Sequence, residues 1–249
     1  MHATTWLARC RWGIAVTCLV APIFGPPLSG LFAGRPAEPL LPDLIVWASR
    51  PYNFLYGWRL DSSEQPGHVL LRLSTAIPNQ GAGPIELIGG ESHDDGTQDV
   101  YQRIYYDDGS YEDVLAGVFV FHPEHNHIHF EGYAEYRLRE VTKGGGVGDV
   151  VGTGNKVSFC LIDVLTYNRR LPGYPRFPQY LTCGDNKQGI SVGWSDVYDK
   201  SLPDQWIDVT SVPDGVYWLE VEVDPDNRLI ELDESNNVTR IKILLNKPN

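Results

Sequence analysis

The stretch VYWLEVEVD, residues 216–224, alternates between two kinds of side chain. Leucine and valine occupy every second position from Leu219 to Val223, and glutamates stand between them. Successive side chains of an extended chain point to opposite faces, so this alternation predicts a β-strand with one apolar face against a core. The stretch therefore favours a sheet protein over a helical one.

Similar short runs recur on both sides of this stretch. Branched and aromatic residues concentrate in HVLLRLSTAI (68–77), GVFVF (117–121), KVSFCLIDV (156–164) and VTRIKILL (238–245). Turn-forming sequences separate the runs, and the chain contains 25 Gly and 18 Pro but no sustained helical period. We therefore predict one all-β domain over residues 35–249, a sandwich or barrel-like variant with long irregular loops and little helix.

The chain is strongly acidic. Its formal net charge is −12, and residues 1–34 contain two arginines and no acid, which leaves −14 for the rest. Nucleic-acid phosphates need lysine and arginine, so we expect no nucleic-acid partner. An acidic surface attracts cationic partners such as amines and lysine-rich chains, although acidity also serves solubility alone.

Residues 1–34 resemble an export signal. Arg9 and Arg11 precede the apolar run WGIAVTCLVAPIFGPPLSGLFAG, which ends in small residues. Three prolines in this run oppose a stable spanning helix, so an uncleaved N-terminal anchor is the alternative. We expect a secreted or extracytoplasmic protein that contacts a membrane only if this segment stays attached. The oligomeric state is not indicated.

The cysteines predict one disulfide. Cys10 and Cys18 would leave with the export signal, and Cys160 and Cys183 remain as an even pair in an oxidising compartment. Two buried free thiols are the alternative. A bond between Cys160 and Cys183 closes a loop whose cross-link contributes about 3 kcal/mol to stability in the chain-entropy model.

Four of the seven histidines lie within FHPEHNHIHFEGYAEYRL, residues 121–138. His125, His127 and His129 alternate, so they share one face of the strand predicted here. Three imidazoles with an open position suit copper, zinc, nickel or iron. His122 is out of register and is a fourth ligand, a hydrogen-bond partner of the ligands or only a strand-start residue.

Histidines alone leave the chemistry open. A zinc hydrolase also uses such a triad and needs a general base beside its bound water, a role open to Glu124, Glu131 or Glu135. A secreted metal-binding module without catalysis is a further alternative. A cupin is disfavoured because no histidine follows His129.

The spacing H-x-x-H-x-H-x-H of residues 122–129 resembles the copper motif of the lysyl oxidases, W-x-W-H-x-C-H-x-H-Y-H in the animal enzymes. KVSFCLIDV is similar to the family's K-A-S-F-C-L-E-D. The long segment QGISVGWSDVYDKSLPDQWIDVTSVPDGVYWLEVEVDP (188–225) is nearly colinear with Q-G-I-S-x-G-C-x-D-x-Y…C-Q-W-I-D-I-T…P-G-x-Y. LPDL (41–44), HVLLRLSTAIPNQG (68–81) and ELDESNN (231–237) are also similar.

The resemblance extends over about residues 41–245, with its motifs in the family's order. Departures include Phe121 for tryptophan and Glu124 for cysteine in the histidine motif, and the loss of most disulfides of the animal enzymes. These departures suggest a microbial member with a different substrate.

The resemblance implies a copper-dependent amine oxidase that makes its own cofactor, lysine tyrosylquinone. Tyr198 is the tyrosine oxidised with copper and O₂, and Lys156 is the lysine whose amine adds to its ring. Primary amines, as peptidyl lysine or small amines, then become aldehydes with release of ammonia and hydrogen peroxide. Asp196, Glu131 and Asp199 are candidate bases for the α-proton of the amine.

Hard oxygen donors crowd the segment before the last predicted strand, and such donors suit Ca²⁺. The resemblance implies a structural calcium here that also binds the start of the domain, while a plain turn is the alternative. The implied ligands are Asp43, the Leu44 carbonyl, Glu231, Asp233, Asn236 and Asn237.

Overall fold

A computed structural model describes residues 35–123 and 126–247, and the residues from Ala37 onward form one compact unit. The predicted export signal or anchor, residues 1–34, lies outside the described residues, as do Glu124 and His125. The described ranges contain strands and no helix, which confirms the all-β prediction. Among them, accordingly, no helix has the length and apolarity to cross a membrane.

The strands are numbered in chain order. They are β1 (Pro39–Leu40), β2 (Arg59–Asp61), β3 (Leu70–Arg72), β4 (Thr75–Pro78), β5 (Ile85–Ser92), β6 (Thr97–Tyr106), β7 (Tyr111–His122), β8 (His127–Phe130), β9 (Ala134–Val141), β10 (Val147–Thr153), β11 (Leu165–Thr166), β12 (Lys187–Ile190), β13 (Trp194–Tyr198), β14 (Trp206–Asp208), β15 (Gly215–Val223) and β16 (Val238–Leu245).

Within the described ranges these strands form antiparallel sheets around one core. The largest sheet has the order β12-β5-β6-β7-β8, with β1 paired to β6, and the second has the order β10-β9-β15-β16. Two smaller sheets have the orders β11-β13-β4 and β14-β3-β2. Buried side chains from all of the sheets join in a single apolar cluster, to which Leu71, Ile77, Leu87, Phe119, Leu138, Trp194 and Leu219 belong.

Strand β15 has the predicted alternation, and its Leu219, Val221 and Val223 are fully buried. The opposite face is less simple, because Glu220 is also fully buried. Arg139 donates a 2.8 Å hydrogen bond from Nε to Glu220 Oε1, and Arg137 and Arg240 form ion pairs with the same carboxylate. The neighbouring strands β9 and β16 thus cover Glu220 with arginines.

The predicted strand through the histidines is interrupted. Residues 127–130 form β8 against β7, with His122 paired to His127. The chain then turns at Gly132, whose φ of 74° lies in the left-handed region that favours glycine, and continues as β9 in the other large sheet. Alternation does not reveal this break, because both strands bury the same kind of side chain.

The predicted strand 156–164 is extended without joining any one sheet. Phe159 pairs with Phe130 through two backbone hydrogen bonds of 2.7 and 3.1 Å. Further along, Asp163 N–H donates to the Tyr180 carbonyl, and Val164 N–H donates to the Ser195 carbonyl. The segment therefore crosses between sheets, with Phe159, Cys160 and Leu161 buried and Val157 and Val164 exposed.

The predicted disulfide between Cys160 and Cys183 is present, with the Cα atoms 5.4 Å apart. It ties the crossing segment to the end of a long irregular loop that precedes β12. Long irregular loops were predicted, and the disulfide closes this one.

Candidate metal and cofactor site

Strand β8 places two of the predicted metal ligands side by side. His127 and His129 are two residues apart on one strand face, and their Nε2 atoms lie 2.8 Å from each other. Their rings are 4.7 Å apart between centroids, and His129 is almost fully buried. Both Nε2 atoms therefore point to one position.

Ser158 joins two of the histidines from the crossing segment. Its Oγ lies 3.2 Å from His129 Nδ1 and 3.0 Å from His122 Nε2. A hydrogen bond at Nδ1 orients the His129 ring and leaves Nε2 as the nitrogen for a metal. The sequence interpretation did not single out Ser158, although it stands inside KVSFCLIDV.

His122 lies at the end of β7 and packs on the cluster. Its ring centroid is 4.4 Å from that of His129, and its Nε2 is also 3.4 Å from Glu131 Oε1. Of the roles considered for His122, hydrogen bonding next to the ligands is the one that these contacts favour.

The donor set fits a metal ion. Two nitrogens each about 2.0–2.1 Å from one ion are about 3 Å apart at a right angle, close to the 2.8 Å between His127 and His129. Imidazole nitrogens suit copper and zinc alike. The third predicted ligand, His125, lies outside the described residues, so the triad as a whole stays a prediction.

Lys156 and Tyr198 meet beside these histidines although 41 residues separate them in sequence. Lys156 Nζ lies 5.3 Å from the centre of the Tyr198 ring and 5.0 Å from that of Phe159. The lysine is 5% exposed. Burial lowers its pKa, and the charges of Asp204, Asp196 and Glu131 oppose this effect only in part.

Tyr198 is held by the backbone of a disulfide-bonded cysteine. Its hydroxyl donates a 2.7 Å hydrogen bond to the Cys160 carbonyl and accepts one of 2.8 Å from the Cys160 N–H. Its ring stands edge-on to Phe159, with centroids 4.8 Å apart. Burial, and secondarily the charge of Asp196, raises the pKa of Tyr198 well above its usual value.

These side chains line one cavity of about 200 Å³. His127, His129, Lys156 and Tyr198 contribute the chemically active groups, and its other wall is apolar. The residues that complete the lining are Leu202 and Pro203. The structure thus brings the described predicted ligands and both predicted cofactor residues around a single space.

The three candidate bases have different surroundings. Asp199 Oδ1 accepts hydrogen bonds from the Ser201 backbone and hydroxyl, which lower its pKa. Glu131 faces His122. Asp196 is 2% exposed, burial raises its pKa well above the usual value, and its Oδ2 has no hydrogen-bond partner among the described residues.

The predicted calcium ligands come together in part. Asn237 Nδ2 donates to Glu231 Oε1 over 3.1 Å, and the Leu44 N–H donates to the other oxygen of that carboxylate. Asn236 Nδ2 donates to Asp43 Oδ1 over 2.8 Å. Asp233 is exposed, and its Oδ1 accepts hydrogen bonds from Ser235.

Two carboxylates that the sequence interpretation missed stand beside Glu231. One oxygen each of Asp224, Glu231 and Glu234 lie within 4.8 Å of one another. Burial raises the pKa of Glu231 to about 8 and also raises that of Asp224. The Oδ1 atoms of Asn236 and Asn237 are buried without a hydrogen-bond partner among the described residues.

The fold and the site define an all-β protein with histidines, a buried lysine and a tyrosine around one cavity. The lysyl oxidase family model matches residues 115–248, more than half of the chain. The chain belongs to the lysyl oxidase family.

Relatives agree with this assignment. Lysyl oxidase homolog 1 of Homo sapiens is 35% identical over 124 residues, 49% of this chain and 20% of the relative. Protein-lysine 6-oxidase of Sus scrofa is 35% identical over 127 residues, 49% of this chain and 45% of the relative. Lysyl oxidase homolog 2 of Gallus gallus is 35% identical over 125 residues, 50% of this chain and 15% of the relative. The matched region spans less than half of each of these relatives.

Proposed function

We propose that the protein is a copper-dependent amine oxidase. A primary amine, O₂ and water would give an aldehyde, ammonia and hydrogen peroxide, so the two electrons of the amine pass to O₂. The observation that carries this proposal is the position of Lys156 Nζ, 5.3 Å from the Tyr198 ring in the cavity that His127 and His129 also line. A metal-binding module or a hydrolase needs no such pair.

Copper would be held by Nε2 of His127 and His129, together with His125. Lysine tyrosylquinone, the copper-dependent cofactor of the family, would supply an acceptor for the electron pair of the amine. Ser158 orients His129 through Nδ1, and a residue that fixes a ligand in this way commonly affects metal affinity 10–100-fold.

Burial prepares Lys156 for its proposed role. An amine adds to a ring only in its neutral form, and the desolvation that lowers the Lys156 pKa favours that form. The Cys160 backbone holds the Tyr198 hydroxyl and so presents the ring to the amine. The chain thereby brings together the two groups that must bond.

Asp196 is the proposed base for the α-proton of the substrate. It stands two residues before Tyr198 in β13, so both side chains leave the strand on the same side. Its Oδ2 is available to accept a proton, whereas Asp199 is committed to hydrogen bonds with Ser201. Burial raises its pKa, and a carboxylate of higher pKa is the stronger base once it is ionised.

We also propose a structural Ca²⁺ at Glu231. Three clustered carboxylates and two buried amide oxygens without partners offer oxygen ligands, which Ca²⁺ prefers. The proposed ligands are the predicted set together with Asp224 and Glu234. The ion would join Leu44 to the segment before β16.

The substrates proposed are small primary amines or lysine side chains of proteins, with O₂ as the second substrate. The excess of acidic residues favours approach of cationic substrates. Secretion rests on residues 1–34 and stays a proposal.

Mass spectrometry of copper-loaded, aerated protein tests the proposed function. We expect a cross-linked peptide pair containing Lys156 and Tyr198, together with a positive quinone redox stain. The variants Lys156→Arg and Tyr198→Phe should lose the cross-link and nearly all peroxide formation, because each removes one of the bonded groups. Two unmodified peptides from protein that contains stoichiometric copper would contradict the proposal and leave a metal-binding module or zinc hydrolase.

A further inference from the structure

Strand β8, which carries His127 and His129, is the last strand in the order of its sheet. Such an edge strand presents backbone groups that need partners from outside the sheet. At Ile128, between the two histidines, remote residues supply them. The Ile128 N–H donates a 3.2 Å hydrogen bond to the Cys183 carbonyl, and the Ile128 carbonyl accepts one of 3.0 Å from Gln188 Nε2. The backbone between the two predicted ligands is thus fixed from both of its polar groups.

Gln188 belongs to β12, the strand at the opposite end of the same sheet. The sheet therefore curves until its two end strands lie within reach of one side chain. Gln188 is fully buried, and both ends of its amide form hydrogen bonds. Its Oε1 accepts one of 3.1 Å from the Leu161 N–H, and its Nε2 donates to the Gly184 carbonyl as well as to Ile128. This one side chain therefore joins β8 to the segment that crosses between the sheets.

Leu161 follows directly on the cysteine whose backbone holds the proposed cofactor tyrosine. Both the N–H and the carbonyl of Cys160 bond to the Tyr198 hydroxyl. The disulfide from Cys160 to Cys183 leads back to β8 through the Cys183 carbonyl. Gln188 and the disulfide are thus two parallel connections between the histidine strand and the backbone that holds Tyr198.

We propose that Gln188 is a positioning residue that fixes the histidine strand relative to Tyr198. The inference rests on the proposed function, because it needs the copper site and the Lys156–Tyr198 cofactor. Gln188 acts through the backbone of Ile128 on the histidines at either side of it. Loss of its hydrogen bonds releases β8 from the segment that holds the tyrosine, so that copper affinity and cofactor formation both fall.

The test compares Gln188→Met with the matched variant Gln102→Met. Gln102 is likewise buried, and its amide also bonds to a remote backbone: it accepts a 2.7 Å hydrogen bond from the Ile230 N–H and donates one of 2.8 Å to the Ile230 carbonyl. Methionine has nearly the length of glutamine and makes neither bond. Both variants should therefore lose comparable stability in a thermal melt, while Gln188→Met alone affects the histidine strand.

Affinity for copper(II) is the first measurement, made without O₂ by competition with a chelator so that no cofactor forms. Gln188→Met should bind copper about tenfold more weakly, a loss common for residues that orient metal ligands from outside. Gln102→Met should stay within about twofold of the wild type, because its contacts are independent of β8. Equal affinities of the two variants would overturn the inference.

Formation of the cross-link is the second measurement, made in air at saturating copper by mass spectrometry. Gln188→Met should form the Lys156–Tyr198 cross-link at least about tenfold more slowly than Gln102→Met, since a misplacement of about 1 Å can cost about 100-fold in rate. Equal rates would likewise overturn the inference. A wild-type protein that binds copper and never forms the cross-link contradicts the proposed function instead, and the affinities without O₂ still test what Gln188 does to the ligands.

The wild-type protein supplies the test if Gln188→Met fails to fold. Coupling between two sites is reciprocal, so copper that is positioned through Gln188 must in turn stabilise the hydrogen bonds of Gln188. Without O₂, added copper(II) should slow hydrogen exchange of the Leu161 N–H by about fivefold or more. The Ile230 N–H, which is bound to Gln102, should slow by less than about twofold. Equal slowing of the two amides would overturn the inference.

Discussion

The buried ionisable groups around Glu220 and at the Lys156 cavity have pKa values shifted for opposite reasons. Around Glu220, burial would raise the carboxyl pKa, but hydrogen bonds from Arg139, Arg240 and Arg137 hold it below its usual value. In the cavity, burial prevails, so the pKa of Lys156 falls and that of Asp196 rises. A buried charge with partners of opposite sign stays ionised and supports the fold. A buried group without enough such partners has a shifted pKa, which is typical of functional sites.

The segment around Glu231 is a third region with buried carboxylates. Glu231 and Asp224 are buried, and burial raises the pKa of each, as in the cavity. A bound cation would give this segment the compensation that the arginines give to Glu220.

The largest expected change in stability comes from removing the charge of Glu220 from its arginine partners. Glu220→Gln should lower the free energy of unfolding by about 3 kcal/mol, because the arginines on β9 and β16 lose their common partner. Urea denaturation measures this value. Glu222→Gln is the matched control, since Glu222 is partly exposed and, among the described residues, forms an ion pair with Arg137 alone. It should cost less than about 1 kcal/mol. Equal costs for the two variants would show that burial of the ion pair makes no difference.

A smaller effect on stability is expected from binding calcium at the Glu231 segment. Calcium at a hundredfold excess over its Kd should raise the free energy of unfolding by about 2.7 kcal/mol, and a chelator should reverse the gain in a thermal melt. Glu231→Gln should abolish the gain, and the exposed Asp149→Asn should retain it. Stabilisation by calcium that persists in Glu231→Gln would place the ion elsewhere.

The smallest effect is the pH dependence that Asp196 contributes. Its folded-state pKa lies above the usual 3.8, so the folded protein keeps a proton that the unfolded chain releases. Stability is therefore lost as the pH rises above about 4, and Asp196→Asn should remove this loss. Unfolding of both proteins between acid and neutral pH measures it, with the variant gaining on the wild type as the pH rises. A difference in stability that stays constant with pH would indicate that Asp196 is ionised in the folded protein.

Part of the candidate site could be predicted from local sequence. Alternation put His127 and His129 on one strand face, and the structure has their Nε2 atoms together. The motifs that resemble lysyl oxidases singled out Lys156 and Tyr198. Ser158 was missed, because its importance lies in the histidines that stand opposite it, and nothing in a local pattern encodes that.

The errors in the fold have the same origin. Residues 121–138 were read as one strand, yet the chain changes sheets at Gly132. Residues 156–164 were read as a regular strand, yet they bond to several partners in turn. Glu220 lies on the face of β15 opposite the apolar one, and arginines of neighbouring strands cover it. Each error arises from the way a segment meets its neighbours in the folded chain.

By itself, the sequence determined the all-β class, the apolar face of β15, the disulfide and the residue types for a metal and a cofactor. These follow from the two-residue period of extended chain and from side-chain chemistry, which are properties of neighbouring residues. Only the tertiary structure decided that Lys156 lies over Tyr198, that Ser158 contacts His129, and that arginines surround Glu220. Distances between remote segments depend on how sheets pack around a shared core, and so does the burial that shifts each pKa.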